Sequence, residues 1–274
     1  MQVQSLAEIE LRDAIQPLNR SAPSNFGPAL RTPALIRELV ALGVVDASLS
    51  KVLVLSGKVL GGCLVERVPG GGLLSALSIE PLAQQRGGGR ALLEEVIKAA
   101  QIAQLAQLRI EVSEGDTAHE SLIGALHFVR VETLHRLALQ KAPNRSLFPT
   151  EEFDLVTEVS IEEAISLLSA QTTWQPTPSA QPDMIRKLTK RLSALTLVQS
   201  DRRATLIFDK ERKLIWTLGG DPTRMAQLAV CVAAKHGAAF VDSLRDEDPA
   251  ISALVEAGFT KLAVRAAHQL TLEG

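Results

Sequence analysis

Apolar positions along the chain follow two periods. Apolar residues at 92, 93, 96, 97 and 100 fall on one face of a helix predicted over Arg90–Gln104, and similar spacing predicts helices over Ile9–Asn19 and Pro33–Leu42. Between them, Lys51–Arg67 reads as a β-hairpin turning at Ser56-Gly57-Lys58. Strands are predicted at Leu73–Ile79, Leu108–Val112 and Val129–Leu139, with a short helix at His119–Leu126. The pattern then starts again. Helices are predicted near 161–170, 182–193, 223–235 and 249–257, and strands near 194–199, 204–209, 213–218, 240–244 and 260–272. The segment Lys141–Thr150, rich in turn formers and containing two prolines, reads as a linker.

Sequence landmarks repeat as well as elements. Pro33-Ala-Leu-Ile-Arg-Glu-Leu39 recurs as Pro182-Asp-Met-Ile-Arg-Lys-Leu188, each copy after a loop with an aromatic residue, Phe26 or Trp174. Ser121–Phe128 parallels Ile251–Phe259, and both lead into a β-like tail ending in His-x-Leu (His135-x-Leu137 and His268-x-Leu270). The offset shrinks from 149 to 131 residues, so the second copy is 18 residues shorter between the landmarks. Two α/β domains are therefore expected, at 1–145 and 148–274, each long enough to bury a core.

Composition narrows the function classes. The chain has 274 residues, with 46% apolar, 22% charged, 3% aromatic and no Tyr, which is globular rather than disordered. Net charge is −2 overall, +1 up to residue 145 and −3 beyond it, so neither half has the basic excess of a nucleic-acid binder. The longest charge-free stretch, Ala164–Pro182, is too polar and proline-rich to span a membrane. Cys63 and Cys231 stand alone in apolar runs, which argues for buried thiols and against a disulfide framework or a metal site. With an acidic N-terminus lacking a signal pattern, these features suggest a soluble, cytoplasmic protein.

The sharpest chemical signal lies between the Leu73–Ile79 strand and the Arg90 helix: Glu80-Pro-Leu-Ala-Gln84-Gln85-Arg86-Gly87-Gly88-Gly89-Arg90. Glycines at a helix N-terminus let backbone N–H groups converge on an anion, and the helix dipole adds to the attraction. Gly89 is followed by Arg-Ala, which excludes a P-loop. Leu92 stands where a dinucleotide fingerprint needs its third glycine.

The order strand, Ile79-x-Pro81, Gln84-x-x-Gly87-x-Gly89, amphipathic helix, strand Leu108–Val112 and later Ala125-Leu-His-Phe128 resembles the GNAT acyltransferase superfamily over roughly residues 5–140. The resemblance implies a tandem pair of α/β (α+β) units, each a mixed, mostly antiparallel sheet flanked by helices. It implies an N-acyltransferase that moves an acyl group, acetyl foremost, from acetyl-CoA or another acyl-CoA to an amine. By carry-over, Gln84, Gln85, Arg86, Gly87, Gly88, Gly89 and Arg90 would hold the pyrophosphate, and the backbone of Leu77, Ser78 and Ile79 would pair with the pantetheine arm as an added strand. The acceptor would be a small-molecule or peptide amine, with candidate contacts at Asn19–Arg31 and Gln171–Gln181. No metal, nucleic acid or membrane is implied, and self-association as a homodimer is among the expected partnerships.

Departures from the family pattern matter too. Where it shows an Asn, then a Tyr seven residues on, then Gly-Phe, this chain has Asp116, Ile123 and His127-Phe128. The Tyr commonly protonates the departing thiolate, so another acid is needed or the step goes without one. His119 and His127 flank Ile123 by four residues each and would share its face on one helix. Glu80 and Glu111 are the carboxylates nearest the central strands that could accept the amine's proton, so Glu80, Glu111, Asp116 and His119 are the catalytic candidates. The plainer explanations are a solvated residue before Pro81 for Glu80, a polar residue on the open face of its strand for Glu111, a solvated helix residue for His119 and a helix end for His127.

In the second half, laying Leu218–Thr223 over Gln84–Gly89 replaces two loop glycines with Asp221 and Thr223. It leaves Pro222 without a donor, makes Asp221 a helix cap, and makes Gly219-Gly220 an ordinary turn. The second half is therefore expected to bind no CoA. The competing expectation is a catalytically silent acyl-CoA-binding or protein-interaction module.

Overall fold

The computed structural model describes residues 1–19, 31–84, 86–139, 155–171, 174–236 and 239–272. Residues 20–30, Gln85 and the expected linker 141–150 lie outside the described residues. Compactness divides the chain into one unit of Met1–Glu132 with Arg265–Gly274 and another of Thr133–Val264.

In the first unit, β1 (Gln2–Ser5) leads through a 3-10 turn to α1 (Leu11–Asn19) and, after the undescribed segment, α2 (Pro33–Ala41). Next come β2 (Lys51–Leu55), β3 (Lys58–Val68), β4 (Gly71–Ile79), α3 (Pro81–Gln84), α4 (Gly88–Ile102), β5 (Gln107–Ser113), α5 (Thr117–Gly124) and the start of β6 (Val129–Leu139). The β2–β3 hairpin turns through Ser56 (φ +49°) and Gly57 (φ +77°), the double left-handed turn that suits strand twist. Strand order is β1-β2-β3-β4-β5-β12, where β12 (Thr260–Thr271) pairs antiparallel with β5 from Arg265↔Ser113 to Thr271↔Gln107. Every pairing is antiparallel except β4 with β5. Leu92, Leu93, Val96 and Ala100 of α4 bury their stripe on Leu74, Leu77, Leu108, Ile110 and Val112, as the helical period requires.

The second unit repeats this plan with β7 (Val156–Val159), α6 (Ile161–Ser169), α7 (Pro182–Lys187), β8 (Leu192–Gln199), β9 (Arg202–Asp209), β10 (Leu214–Gly220), α8 (Pro222–His236), β11 (Ala239–Arg245) and α9 (Ala250–Glu256). Its strand order is β6-β11-β10-β9-β8-β7, again with one parallel pair, β10–β11. Met225, Leu228, Ala229 and Val232 of α8 pack on Leu206, Phe208, Ile215 and Val241.

Each unit thus receives the last long strand of the other sequence half. β12 pairs with β5, and β6 pairs with β11 from Leu134↔Arg245 to Leu139↔Ala239. This exchange separates the compact units from the contiguous repeat halves 1–145 and 148–274.

Three details differ from the sequence expectations. The short strands β1 and β7 were not expected; each has four partly polar, partly exposed residues whose edge pairing leaves no alternation to read. The helix expected to 193 ends at Lys187: Leu192, which continues the helical stripe of Ile185 and Leu188, instead pairs with Asp209 of β9, and Ser193 with Phe208. Gly219-Gly220 is not a turn but the end of β10. A Cβ on Gly219 would lie 2.8 Å from Gln171 Oε1 and 3.3 Å from Trp174 Cδ1.

His236, whose ring lies 5.4 Å from that of Phe208, and His268 both titrate below the ordinary imidazole value near 6.5, first because burial disfavours the cation. The unfolded chain then takes up these protons near pH 6.5 while the folded chain resists, so stability is full above that pH and falls as pH drops toward the depressed folded values. Thermal unfolding at constant ionic strength should give a lower Tm at pH 5.5 than at 7.5, with a smaller difference in His236→Gln and in His268→Gln.

Candidate functional site

The site starts from a defect in β4. Leu64 pairs with Ala76 but Val65 with Leu74, so Ser75 is an extra, bulged residue. Bulges increase local twist and end regular pairing. The parallel ladder from β4 to β5 runs from Gly71↔Gln107 to Leu74↔Ile110 and stops there, while β5 continues its pairing with β12. On this side, Leu77, Ser78 and Ile79 therefore present strand backbone beyond the end of the ladder. The carbonyl of Ser75 accepts from Nη2 of the buried Arg31 at 2.8 Å. Asn19 and the backbone of Arg31 exchange two hydrogen bonds across the undescribed segment, at 2.8 and 2.9 Å.

After β4 the chain makes the one-turn helix α3 and reaches Gly87 at φ +75°, the left-handed N-cap of α4, which has no side-chain cap. The first N–H groups of a helix have no intrahelical acceptor, and among the described residues no side chain caps them. Gly88 is tightly enclosed: a Cβ would come 2.7 Å from Leu53 Cδ2 and 2.9 Å from the Ala83 carbonyl. A Cβ on Gly89 would meet Leu122 Cδ2 at 3.1 Å. Gln84 folds back onto the Ile79 carbonyl (2.9 Å), Arg86 is exposed, and Arg90 pairs with Glu94 at 2.8 Å.

A cleft of about 750 Å³ opens along these groups, lined by Ser78, Ile79, Gln84, Gly87, Gly89 and Arg90 on one side and by Asp116, Ala118, His119 and Leu122 of the α5 segment on the other. Asp116 caps α5, accepting from the His119 N–H at 3.2 Å through one oxygen, while its other oxygen lies 2.7 Å from His119 Nδ1. The structure therefore joins two of the four catalytic candidates to the glycine turn.

The other two are not among the residues that line this cleft, although Glu80 lies between Ile79 and Pro81, which are. Glu80 is 5% exposed, so it is not a solvated residue, and its carboxylate lies 3.9 Å from Lys58 Nζ. Glu111, likewise buried, pairs with the buried Arg265 of β12 at 2.9 Å, and the neighbouring Arg109 pairs with Glu132. The Glu111–Arg265 pairing could not be read from the sequence, since its partners are 154 positions apart.

The expectation that His119, Ile123 and His127 share a helix face fails. α5 ends at Gly124, and His127 sits exposed at φ +63°, where it closes a Schellman-type end with Phe128 N–H bonded to the Ile123 carbonyl. Gly258 (φ +99°) and Phe259 close α9 in the same way onto Leu254. Ile123 and Leu254 are core residues, while Ala118, His119 and Leu122 face the cleft.

The second unit bears the same bulge and lacks the turn. Ile215 pairs with Phe208 but Thr217 with Ile207, so Trp216 is the extra residue. Matching Trp216 with Ser75 sets Gly220 over Ile79 and Asp221 over Glu80, whereas matching the two 15-residue helices sets Pro222 over Gly88 and keeps Arg224 over Arg90; only the Leu218–Gly220 part of the expected overlay on Gln84–Arg86 gives way, because those residues belong to β10. The segment Pro81–Gly87 has no counterpart, because α8 begins at Pro222. Asp221 caps it, accepting from the Arg224 N–H at 3.1 Å. Trp174 reaches the same strand, its Nε1 donating to Thr217 Oγ1 at 2.8 Å.

Among the described residues, no group of His, Cys, Asp or Glu is placed to hold a metal, and no helix is long and apolar enough to cross a membrane.

No known family model and no curated protein sequence matches this chain. Solved structures do match. A proposed acetyltransferase from Pyrococcus horikoshii superposes with a TM-score of 0.72 at 12% identity, covering 99% of this chain and 89% of that one. A tandem GNAT protein from the clavulanic acid biosynthesis pathway gives 0.69 at 13% identity, covering 100% and 99%. A GCN5-related N-acetyltransferase from Sphaerobacter thermophilus gives 0.65 at 13% identity, covering 100% and 96%. Full coverage of the tandem GNAT protein, together with the bulge and element order repeated in both units, shows that the chain shares the fold of that tandem protein.

Proposed function

We propose that this protein is an acyl-CoA-dependent N-acyltransferase, most simply an acetyltransferase using acetyl-CoA, with its site in the first unit. One observation carries the proposal: an uncapped helix start at Gly87–Arg90 opens into the same cleft as the β4 backbone beyond the end of its parallel ladder. The N–H groups of Gly88, Gly89 and Arg90 suit a pyrophosphate, and the edge of Leu77–Ile79 suits the amides of a pantetheine arm. Gln84 and Arg90 border this cradle, Arg86 is exposed in the same turn, and Gln85 lies outside the described residues.

The cosubstrate supplies a thioester; the chain orients it and handles protons. The amine nitrogen forms a bond to the acyl carbon, the carbon–sulfur bond breaks, and the proton lost by nitrogen balances the one gained by the thiolate. Of the two glutamates, Glu80 is the better placed acceptor for the amine's proton, directly or through water, because its chain neighbours Ile79 and Pro81 both line the cleft. Thiolate is a fair leaving group, so positioning can carry much of the rate without a tyrosine. The second unit, lacking the Pro81–Gly87 counterpart, is the degenerate copy. A reducing, cytoplasmic location agrees with the two buried free thiols, Cys63 and Cys231.

The test is calorimetry with CoA on the intact chain, followed by incubation with acetyl-CoA and a panel of small and peptide amines while free thiol is measured. One CoA per chain and amine-dependent thiol release are expected. Saturable binding with no thiol release across the panel would establish the silent binding module instead. Two CoA per chain would refute the degenerate second unit, and no binding would refute the proposal.

A further inference from the structure

We infer that His119, held by Asp116, is a proton-linked contact for the phosphate groups of the acyl-CoA, so that the cosubstrate binds together with a proton; this rests on the acyl-CoA proposal above. Asp116 is fully engaged within α5: one carboxylate oxygen accepts the His119 backbone N–H and the other lies 2.7 Å from Nδ1. The carboxylate thereby keeps the proton of a neutral imidazole on Nδ1 and leaves Nε2 as a lone pair. Among the described residues, Nε2 makes no hydrogen bond, and the side chain lines the cleft with Gly87, Gly89 and Arg90.

Position decides between two roles for such an imidazole. α5 packs against the start of α4, since Leu122 Cδ2 is the atom a Cβ on Gly89 would meet first. His119, one turn before Leu122, therefore stands beside the phosphate cradle. The bulge at Ser75, beyond Ser78 and Ile79 along β4, does not line this cleft.

The charges around His119 are few. Asp116 and Arg90 also line the cleft, Arg90 is shared with Glu94 across one helical turn, Arg86 lies exposed at the turn, and Glu120 follows on α5 itself. A neutral His119 leaves the Asp116 carboxylate as a net negative charge in a cleft built for an anion. When His119 takes up a proton from solvent on Nε2, the pair becomes neutral and gains a donor facing the ligand. A bound pyrophosphate therefore favours the protonated form, and by linkage the protonated form favours pyrophosphate.

The test uses 3′-dephospho-CoA, whose pyrophosphate does not titrate near neutrality, whereas the phosphomonoester of CoA does, near pH 6. Calorimetry on the intact chain from pH 5.5 to 8.5 should show affinity several-fold weaker at pH 8 than at pH 6, within the roughly hundredfold that one linked proton allows over two pH units. Repeating it in buffers of different ionisation enthalpy should show net proton uptake on binding. His119→Gln should flatten both dependences, lowering affinity at pH 6 and leaving it nearly unchanged at pH 8. Asp116→Asn, which keeps a good helix cap, should move the affinity drop to lower pH.

A flat profile in the native chain, or one unchanged by His119→Gln, would overturn the inference while leaving the acyl-CoA proposal standing. A His119→Gln enzyme with unaltered binding and pH profile but reduced turnover would overturn it in favour of proton transfer to the thiolate. No binding at any pH would instead count against the acyl-CoA proposal itself.

Discussion

Gly89→Asp is expected to weaken CoA binding by at least about a hundredfold. Gly89 lines the cleft at the start of α4, and its Cβ direction leads to Leu122 Cδ2 at 3.1 Å, so a longer side chain must turn into the space meant for phosphate. A unit charge about 5 Å from a phosphate charge costs roughly 3 kcal/mol at an effective dielectric near 20, which is about a hundredfold in affinity. Gly87→Asp adds the same charge, and the left-handed φ of +75° costs it a further 1 kcal/mol or so. Gly87→Ala separates strain from charge and should lose only the smaller part. Arg86→Ala, at an exposed position, should stay within about threefold of the native chain. Calorimetry decides each case, and undiminished affinity in both Asp variants would rule out the cradle.

The largest stability effect should come from Arg265→Met. The Glu111 and Arg265 side chains are 9% and 3% exposed, and the substitution leaves the carboxylate buried without its guanidinium. Breaking such a pair costs about 3–5 kcal/mol, whereas replacing both partners with apolar groups is often neutral. Arg265→Met should therefore lower Tm by about 5–9 °C in a chain of this length, and adding Glu111→Leu should restore most of it. A single variant that melts like the native chain would show that Glu111 has another compensation.

What could be read from the sequence follows from the range of each interaction. The glycine turn was legible because a glycine run, a preceding strand and a following amphipathic helix are local in the chain, and the structure joins them into one cleft wall. The partnership of Asp116 with His119 was only half visible: a three-residue spacing permits the contact, but the cap geometry that turns the imidazole toward the carboxylate is three-dimensional. His127 was misplaced because periodicity cannot show where a helix stops when the left-handed end residue is not glycine; its counterpart Gly258 carries the usual signal. Glu111 looked like a residue on an open strand face because alternation identifies faces and leaves the partner across the sheet unknown.

The exchange of β6 and β12 sets the order in which the molecule can be completed during synthesis. β5 could have been finished by a strand about 16 residues downstream, yet it waits for Arg265, about 150 residues away. Closing the longer loop costs about 2 kcal/mol more chain entropy. On the ribosome, the unit carrying the cradle must keep an open edge at β5 through most of translation, while β6, which follows β5 directly in the chain, is the strand nearest to hand. Until Arg265 has been made, the nascent chain lacks the antiparallel partner that β5 has in the finished protein, and β6 lacks its partner β11 until Ala239–Arg245 follow.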